Sequence, residues 1–138
     1  MIENQAVASA SAPLTVSGRL LLFFFLLNGI AGVAGGLLVM KETLPFPRVW
    51  LQGTPFHTYL IPGLILCAVV GGSHLAAAFS ILARRAWAKT ACVLAGAILA
   101  GWMIGEILLI GFQAPIQVWF VGIGLLEFGL SLAKPSRA

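Results

Sequence analysis

Four long apolar runs dominate the chain, at about residues 20–40, 62–83, 88–112 and 115–133, with short polar or proline-bearing breaks between them. Each run is close to or above the roughly 20 residues that a helix needs to cross the hydrocarbon core of a bilayer. None carries the one-sided apolar stripe of a soluble surface helix. The pattern predicts an all-α fold, an integral membrane antiparallel four-helix bundle with four transmembrane helices in one membrane domain spanning 1–138. The first run is longer than the apolar part of a signal peptide, about 7–15 residues, and the small residues near Ala34 make a poor cleavage site. We therefore expect a retained transmembrane helix.

The breaks predict the connections. Residues 1–18 are polar or small and read as a poorly ordered or interfacial tail. Residues 41–61 form an outer loop with several prolines and the aromatic cluster Phe46, Trp50 and Phe56, residue types that favour the headgroup level. Thr54-Pro55 has the form of an N-cap followed by proline at the first helical position, which predicts a short interfacial helix near 55–60. Pro62 is expected to kink or restart that helix. Arg84-Arg85-Ala86-Trp87-Ala88-Lys89 is a basic turn. Gln113-Ala114 is a tight connection, Pro115 opens the fourth helix, and Lys134-Pro135 is expected to end it.

Composition agrees with the pattern. Sixty per cent of the chain is hydrophobic and nine per cent charged, against about a quarter charged in soluble domains, so water cannot be the solvent for most of its surface. The net charge of +4 arises from cations in loops and at segment ends, which marks topology rather than a nucleic-acid footprint. With both termini inside, Arg19, Arg84, Arg85, Lys89, Lys134 and Arg137 lie in the cytoplasm, and the outer side keeps Lys41 and Arg48. Excess Lys and Arg mark the cytoplasmic face, so N-in and C-in is the expected orientation.

Small and polar residues recur at helical spacing: Asn28, Gly32, Gly35 and Gly36 in the first helix, and Gly63, Cys67, Gly71, His74 and Ala78 in the second. The third has Ala97, Gly101 and Gly105, and the fourth Gln117, Gly124, Glu127 and Ser131. Such stripes let helices approach closely where lipid removes the hydrophobic incentive. At about 1.5 Å of rise per residue, Asn28, His74 and Glu127 fall at one depth, roughly 18–21 Å from the outer end. Glu106 sits shallower, roughly 9 Å down, with Gln113, Gln117, His57 and Tyr59 as prospective companions. Ionisable residues at such depths face a bundle interior or a cavity. Two accounts stay open for the deep layer: a proton-binding relay, or a hydrogen-bonded pair that fixes helix register.

His57, Tyr59 and Trp50 are candidates for an outer entry. A metal needs three or four converging ligands, and His57 and His74 lie about 25 Å apart along a helical path, so no metal or other cofactor is expected. Cys67 and Cys92 belong to opposite thirds of their helices, too far apart for a disulfide. Gly71-Gly72-Ser73-His74 reads as a packing notch rather than a nucleophile motif.

Thr54-Pro55-Phe56 followed by Tyr59-Leu60-Ile61-Pro62-Gly63, with Gly101-Trp102 and Glu106 after the basic turn, resembles a family of small bacterial four-helix inner-membrane proteins of uncharacterised activity, with a TPFxxYLIPG-like entry to the second helix. The resemblance implies the four-helix fold and a bacterial inner-membrane location. The size is also similar to small multidrug exporters, whose key acid lies in the first helix, where this chain has none. The expected function is an accessory or assembly subunit, or a small-ligand or lipid-binding membrane protein, without catalysis of its own. The alternative is a small proton-coupled transporter or channel using Glu106, Glu127 and His74. A membrane enzyme acting at the outer interface through His57 is a third class. Expected partners are the lipid bilayer and a membrane protein or second copy of the chain, with no nucleic acid.

Overall fold

A computed structural model describes residues 2–133. Its helices are α1 (Ile2–Ser11), α2 (Val16–Met40), α3 (Leu60–Leu82), α4 (Ala88–Ile110) and α5 (Pro115–Ala133), with a short 3₁₀ turn at Arg48–Leu51 and no strand among the described residues. Helices α2 to α5 are each long and apolar enough to cross a membrane. The chain is thus a small all-helical polytopic membrane protein. Below, the loop end is the end formed by residues 41–59 and 111–114; the opposite, basic end carries the turn at 84–87.

Several local expectations are corrected. Within the N-terminal tail, Ile2–Ser11 is helical. Pro13 breaks this helix from the next, because proline donates no backbone hydrogen bond. Thr15 then caps α2, its Oγ1 accepting from the Gly18 N–H at 3.2 Å, so the first span starts at Val16 rather than near 20. The short extra helix lies at Arg48–Leu51, not at 55–60. Thr54 makes a turn instead: its hydroxyl donates to the Leu51 carbonyl at 2.7 Å and accepts from the Phe56 N–H at 3.2 Å, and such side-chain turns compete with helix capping. Helix α3 starts at Leu60, which puts Pro62 in its first turn, where a missing N–H costs no helical bond. The irregularity in α3 comes later, where Ile65–Gly71 is wound as a π-helix. The third span stops at Ile110, and Gly111, at φ 78°, closes it in the left-handed region that glycine favours. The expected stop at Lys134-Pro135 and the cations Lys134 and Arg137 lie outside the described residues.

Two tight helix pairs build the bundle. In the α2/α3 pair, a Cβ on Gly36 would stand 2.5 Å from the Cys67 nitrogen, and one on Gly32 would stand 2.8 Å from the Gly71 Cα. In the α4/α5 pair, a Cβ on Gly96 would stand 2.5 Å from the Phe128 nitrogen, and one on Gly124 would stand 2.6 Å from the Ala100 nitrogen. The stripes expected on α2, α3 and α5 therefore carry packing. That on α4 does not. A Cβ on Gly101 or Gly105 would meet nothing within 4 Å, and Ala97 is exposed. The buried face of α4 is Cys92, Ala95, Gly96, Leu99, Ala100 and Met103.

The two pairs pack firmly at the basic end, where Leu21, Phe25, Ala77, Ala78, Ile81, Cys92 and Ala95 form one core cluster. Toward the loop end they part. A smaller cluster of Val39, Leu51 and Tyr59 ties the 41–59 loop to α2, and a cavity remains between the pairs.

Candidate functional site

The site is built from a sealed polar layer and this cavity. Glu127 of α5 is fully buried. Its Oε1 accepts from Asn28 Nδ2 of α2 at 2.8 Å, and its Oε2 stands 3.0 Å from His74 Nε2 of α3. His74 is also fully buried, and Asn28 is 4% exposed. The three residues expected at one depth therefore meet, each from a different helix. Phe25 covers the imidazole edge-on, ring centroids 5.6 Å apart.

The hydrogen bonds indicate how many protons the His74–Glu127 pair shares. His74 Nδ1 lies 2.7 Å from the Val70 carbonyl, which can only accept, so Nδ1 carries a hydrogen. Between Nε2 and Glu127 Oε2 there is then one shared proton, whichever atom holds it. Both forms, neutral imidazole with carboxylic acid or imidazolium with carboxylate, have the same net charge. Val70 is the next-to-last residue of the π-wound stretch, just before the return to α-helix, and its carbonyl also accepts from Ser73 Oγ at 3.0 Å. The π segment thus presents a carbonyl that orients the imidazole, in keeping with the frequent placement of π-bulges at functional sites.

Glu106, nearer the loop end of α4, is held by Gln117. Gln117 Nε2 donates to Glu106 Oε1 at 3.0 Å, and its Oε1 accepts from the backbone N–H groups of Gln113 and Ala114, at 2.7 and 3.2 Å. One side chain thereby caps the start of α5 and fixes the acid. Gln117 is 3% exposed, and Gln113 Nε2 turns back to the Ile110 carbonyl.

The cavity measures about 510 Å³ and runs from the aromatic loop to Asn28. Its wall includes Trp50, Tyr59, Leu66, Trp102, Glu106 and Gln117, and it is overwhelmingly apolar. Tyr59 fixes the loop above it, donating its hydroxyl to the Pro47 carbonyl at 2.8 Å. Burial, and next the charge of Glu42, push the Tyr59 phenol above its usual range. Trp50 rests against Phe46, ring centroids 5.5 Å apart.

Of the residues expected around Glu106, Gln117, Gln113 and Tyr59 share this cavity. His57 does not: it is exposed, outside the cavity wall and, among the described residues, without a side-chain hydrogen bond. Among the described residues no group of three His, Cys, Asp or Glu side chains is placed to hold a metal. Val70 and Phe25 were missed as partners of His74. Val70 carries no chemical signal, because it acts through its carbonyl. Ser131 Oγ is the buried side-chain polar atom without a partner among the described residues.

Comparison with family models, with curated proteins and with solved structures gave no match. What carries this chain's functional interpretation is its own geometry: a polytopic bundle with a buried His74–Glu127 pair and a Glu106–Gln117 pair.

Proposed function

We propose that the chain is a small proton-coupled carrier. The cavity takes a small, largely apolar molecule from the loop end, while Glu127 and His74 hold the exchangeable proton and Glu106 is the acid nearest the entrance. The observation that supports this most is the double role of Asn28, which borders the cavity and donates to Glu127, itself bonded to His74. A ligand that displaced the Asn28 amide would change the acceptor strength of Glu127 and with it the preferred position of the shared proton. Occupancy and protonation are then linked by contact, the condition for coupling two binding events.

The excess of Lys and Arg at the basic end supports an orientation with the N-terminus and the 84–87 turn in the cytoplasm and the cavity mouth outward, and we take the membrane to be a bacterial inner membrane. The decisive experiment is proton flux in liposomes containing the purified protein and a pH-sensitive dye in the lumen. Wild type is expected to dissipate a proton gradient in a ligand-dependent way, and Glu127→Gln to abolish this. Unchanged flux in Glu127→Gln ends the proposal.

One observation favours a second function. The cavity wall is so largely apolar that it also suits an accessory or assembly subunit, or a protein that retains a lipid or apolar ligand without moving it. Native mass spectrometry from mild detergent separates these. A stably bound lipid or protein partner together with absent flux would favour the second.

A further inference from the structure

The cavity wall is one-sided in charge. Among the described residues, Glu106 is its one carboxyl, and no Lys, Arg or His contributes to it. The bases nearby do not compensate: Arg48 is 73% exposed and pairs with Glu42 at 2.6 Å, and Lys41 and His57 are exposed and outside the wall. Only one oxygen of Glu106 has a side-chain partner, Gln117 on Oε1, which leaves Oε2 as an acceptor.

Several of the other polar features point the same way. Asn28 uses its amide nitrogen on Glu127, so its carbonyl is a spare acceptor at the cavity floor. The N–H groups of Gln113 and Ala114 just before α5, which could otherwise attract an anion, are taken by the Gln117 side-chain oxygen. The mouth and walls carry Phe46, Trp50, Phe56, Tyr59, Trp102 and Phe120, whose ring faces attract cations. The Tyr59 hydroxyl, a donor that might hold an anion, is committed to Pro47.

We infer that the cavity is a binding site for an apolar organic cation, its charge held between Glu106 and the aromatic mouth and its body lying toward Asn28. A volume of about 510 Å³ falls within the range of about 300–1,000 Å³ for small-molecule pockets. This names the substrate class of the proposed carrier, and calling the ligand a substrate rests on that proposal. Its binding is tested separately.

Tetraphenylphosphonium and tetraphenylborate have nearly the same shape and opposite charge. Their binding to the purified full-length protein in a neutral maltoside detergent, corrected for empty micelles, is measured by equilibrium dialysis. The phosphonium is expected to bind at least about tenfold more tightly than the borate, the size of effect that one desolvated cation–aromatic attraction supplies. Glu106→Gln, which keeps a partner for Gln117, is expected to lose about that factor for the phosphonium, whereas Glu106→Asp retains most of it. Equal binding of the two ions, preference for the borate, or undiminished phosphonium binding in Glu106→Gln would each overturn the inference. Failure of the carrier proposal looks different: phosphonium bound selectively, with no proton flux in liposomes, sustains the cation site and removes transport. Proton flux without phosphonium binding does the reverse.

Discussion

Glu127 receives one neighbour on each carboxyl oxygen, and this makes two substitutions diverge. Glutamine in its place can still accept from Asn28 through Oε1, and it can donate through Nε2 to an unprotonated His74 Nε2. Glu127→Gln is therefore expected to melt in detergent within about 1 kcal/mol of wild type, the net worth of a single hydrogen bond, while holding no exchangeable proton. Glu127→Ala leaves two buried polar groups unpartnered, at about 1–3 kcal/mol each, and is expected to cost about 2–6 kcal/mol. If both variants melt alike, the polar layer is not held as described. Tyr59 supplies a second residue-scale prediction, since it is the chain's only tyrosine. Its phenol is raised by burial first and by Glu42 second. The stabilisation from its hydroxyl bond to Pro47 is thus fully present below the ordinary phenol value of about 10 and is lost as pH rises through the higher folded value. The tyrosinate absorbance of the folded protein should rise at higher pH than that of the unfolded chain, and Glu42→Gln should bring the midpoint partly back. A midpoint at or below the unfolded one would contradict this environment. The deep layer was legible in the sequence because helix rise is constant and Asn28, His74 and Glu127 are conspicuous in apolar runs. The imidazole's other contact was not, because the Val70 carbonyl belongs to every residue type alike.

Helix packing divides the glycines into two groups that look the same in the sequence. Gly36, Gly71, Gly96 and Gly124 sit where a Cβ would stand within 2.7 Å of a neighbouring helix's backbone. Alanine at any of them forces the helices apart and should cost about 1–3 kcal/mol, as overpacking does. Gly101 and Gly105 have open space where a Cβ would go, and alanine there should be neutral or stabilising by up to about 1 kcal/mol through helix propensity. Thermal unfolding of the six variants in one detergent checks the contrast; a destabilised Gly101→Ala would show that α4 packs through the other face. Spacing alone suggested the Ala97, Gly101 and Gly105 ladder, since small residues at intervals of four permit close approach without requiring it. Here they leave room beside the cavity instead. The π-wound stretch of α3 was equally illegible: Ile65–Gly71 contains no proline and only ordinary apolar residues, and it packs closely against Gly32 and Gly36 of α2. Thr54-Pro55 misled for a different reason, because a threonine before proline suits an N-cap and a side-chain turn alike.

At the scale of the whole molecule, the two ends differ in packing and in charge together. The basic end is filled by apolar side chains and carries Arg19, Arg84, Arg85 and Lys89 around it, with the Arg84 guanidinium donating to the Ala12 carbonyl and Arg85 over the Phe79 ring. The loop end holds the cavity and carries Lys41 and Arg48, the latter paired with Glu42. Lys and Arg close to span ends set orientation, and acids contribute little to it, so the Arg48–Glu42 pair counts as one cation and the bias stands at four to two among the described residues. The loop end, with the cavity mouth, should therefore face outward. In intact cells a membrane-impermeant maleimide is expected to label Gln52→Cys, an exposed loop position, and to label Ala86→Cys only after the membrane is permeabilised; the parent chain, whose Cys67 and Cys92 lie within spans, gives the background. The reverse pattern would place the cavity mouth in the cytoplasm and make any proton-driven carrier load from that side. Replacing Arg84, Arg85, Lys89, Lys134 and Arg137 with alanine leaves Arg19 against Lys41 and Arg48, so the same labels should then report a mixture of orientations. A population that stays uniform would mean that orientation is set by something other than these cations, and the outward placement of the cavity would lose its physical basis.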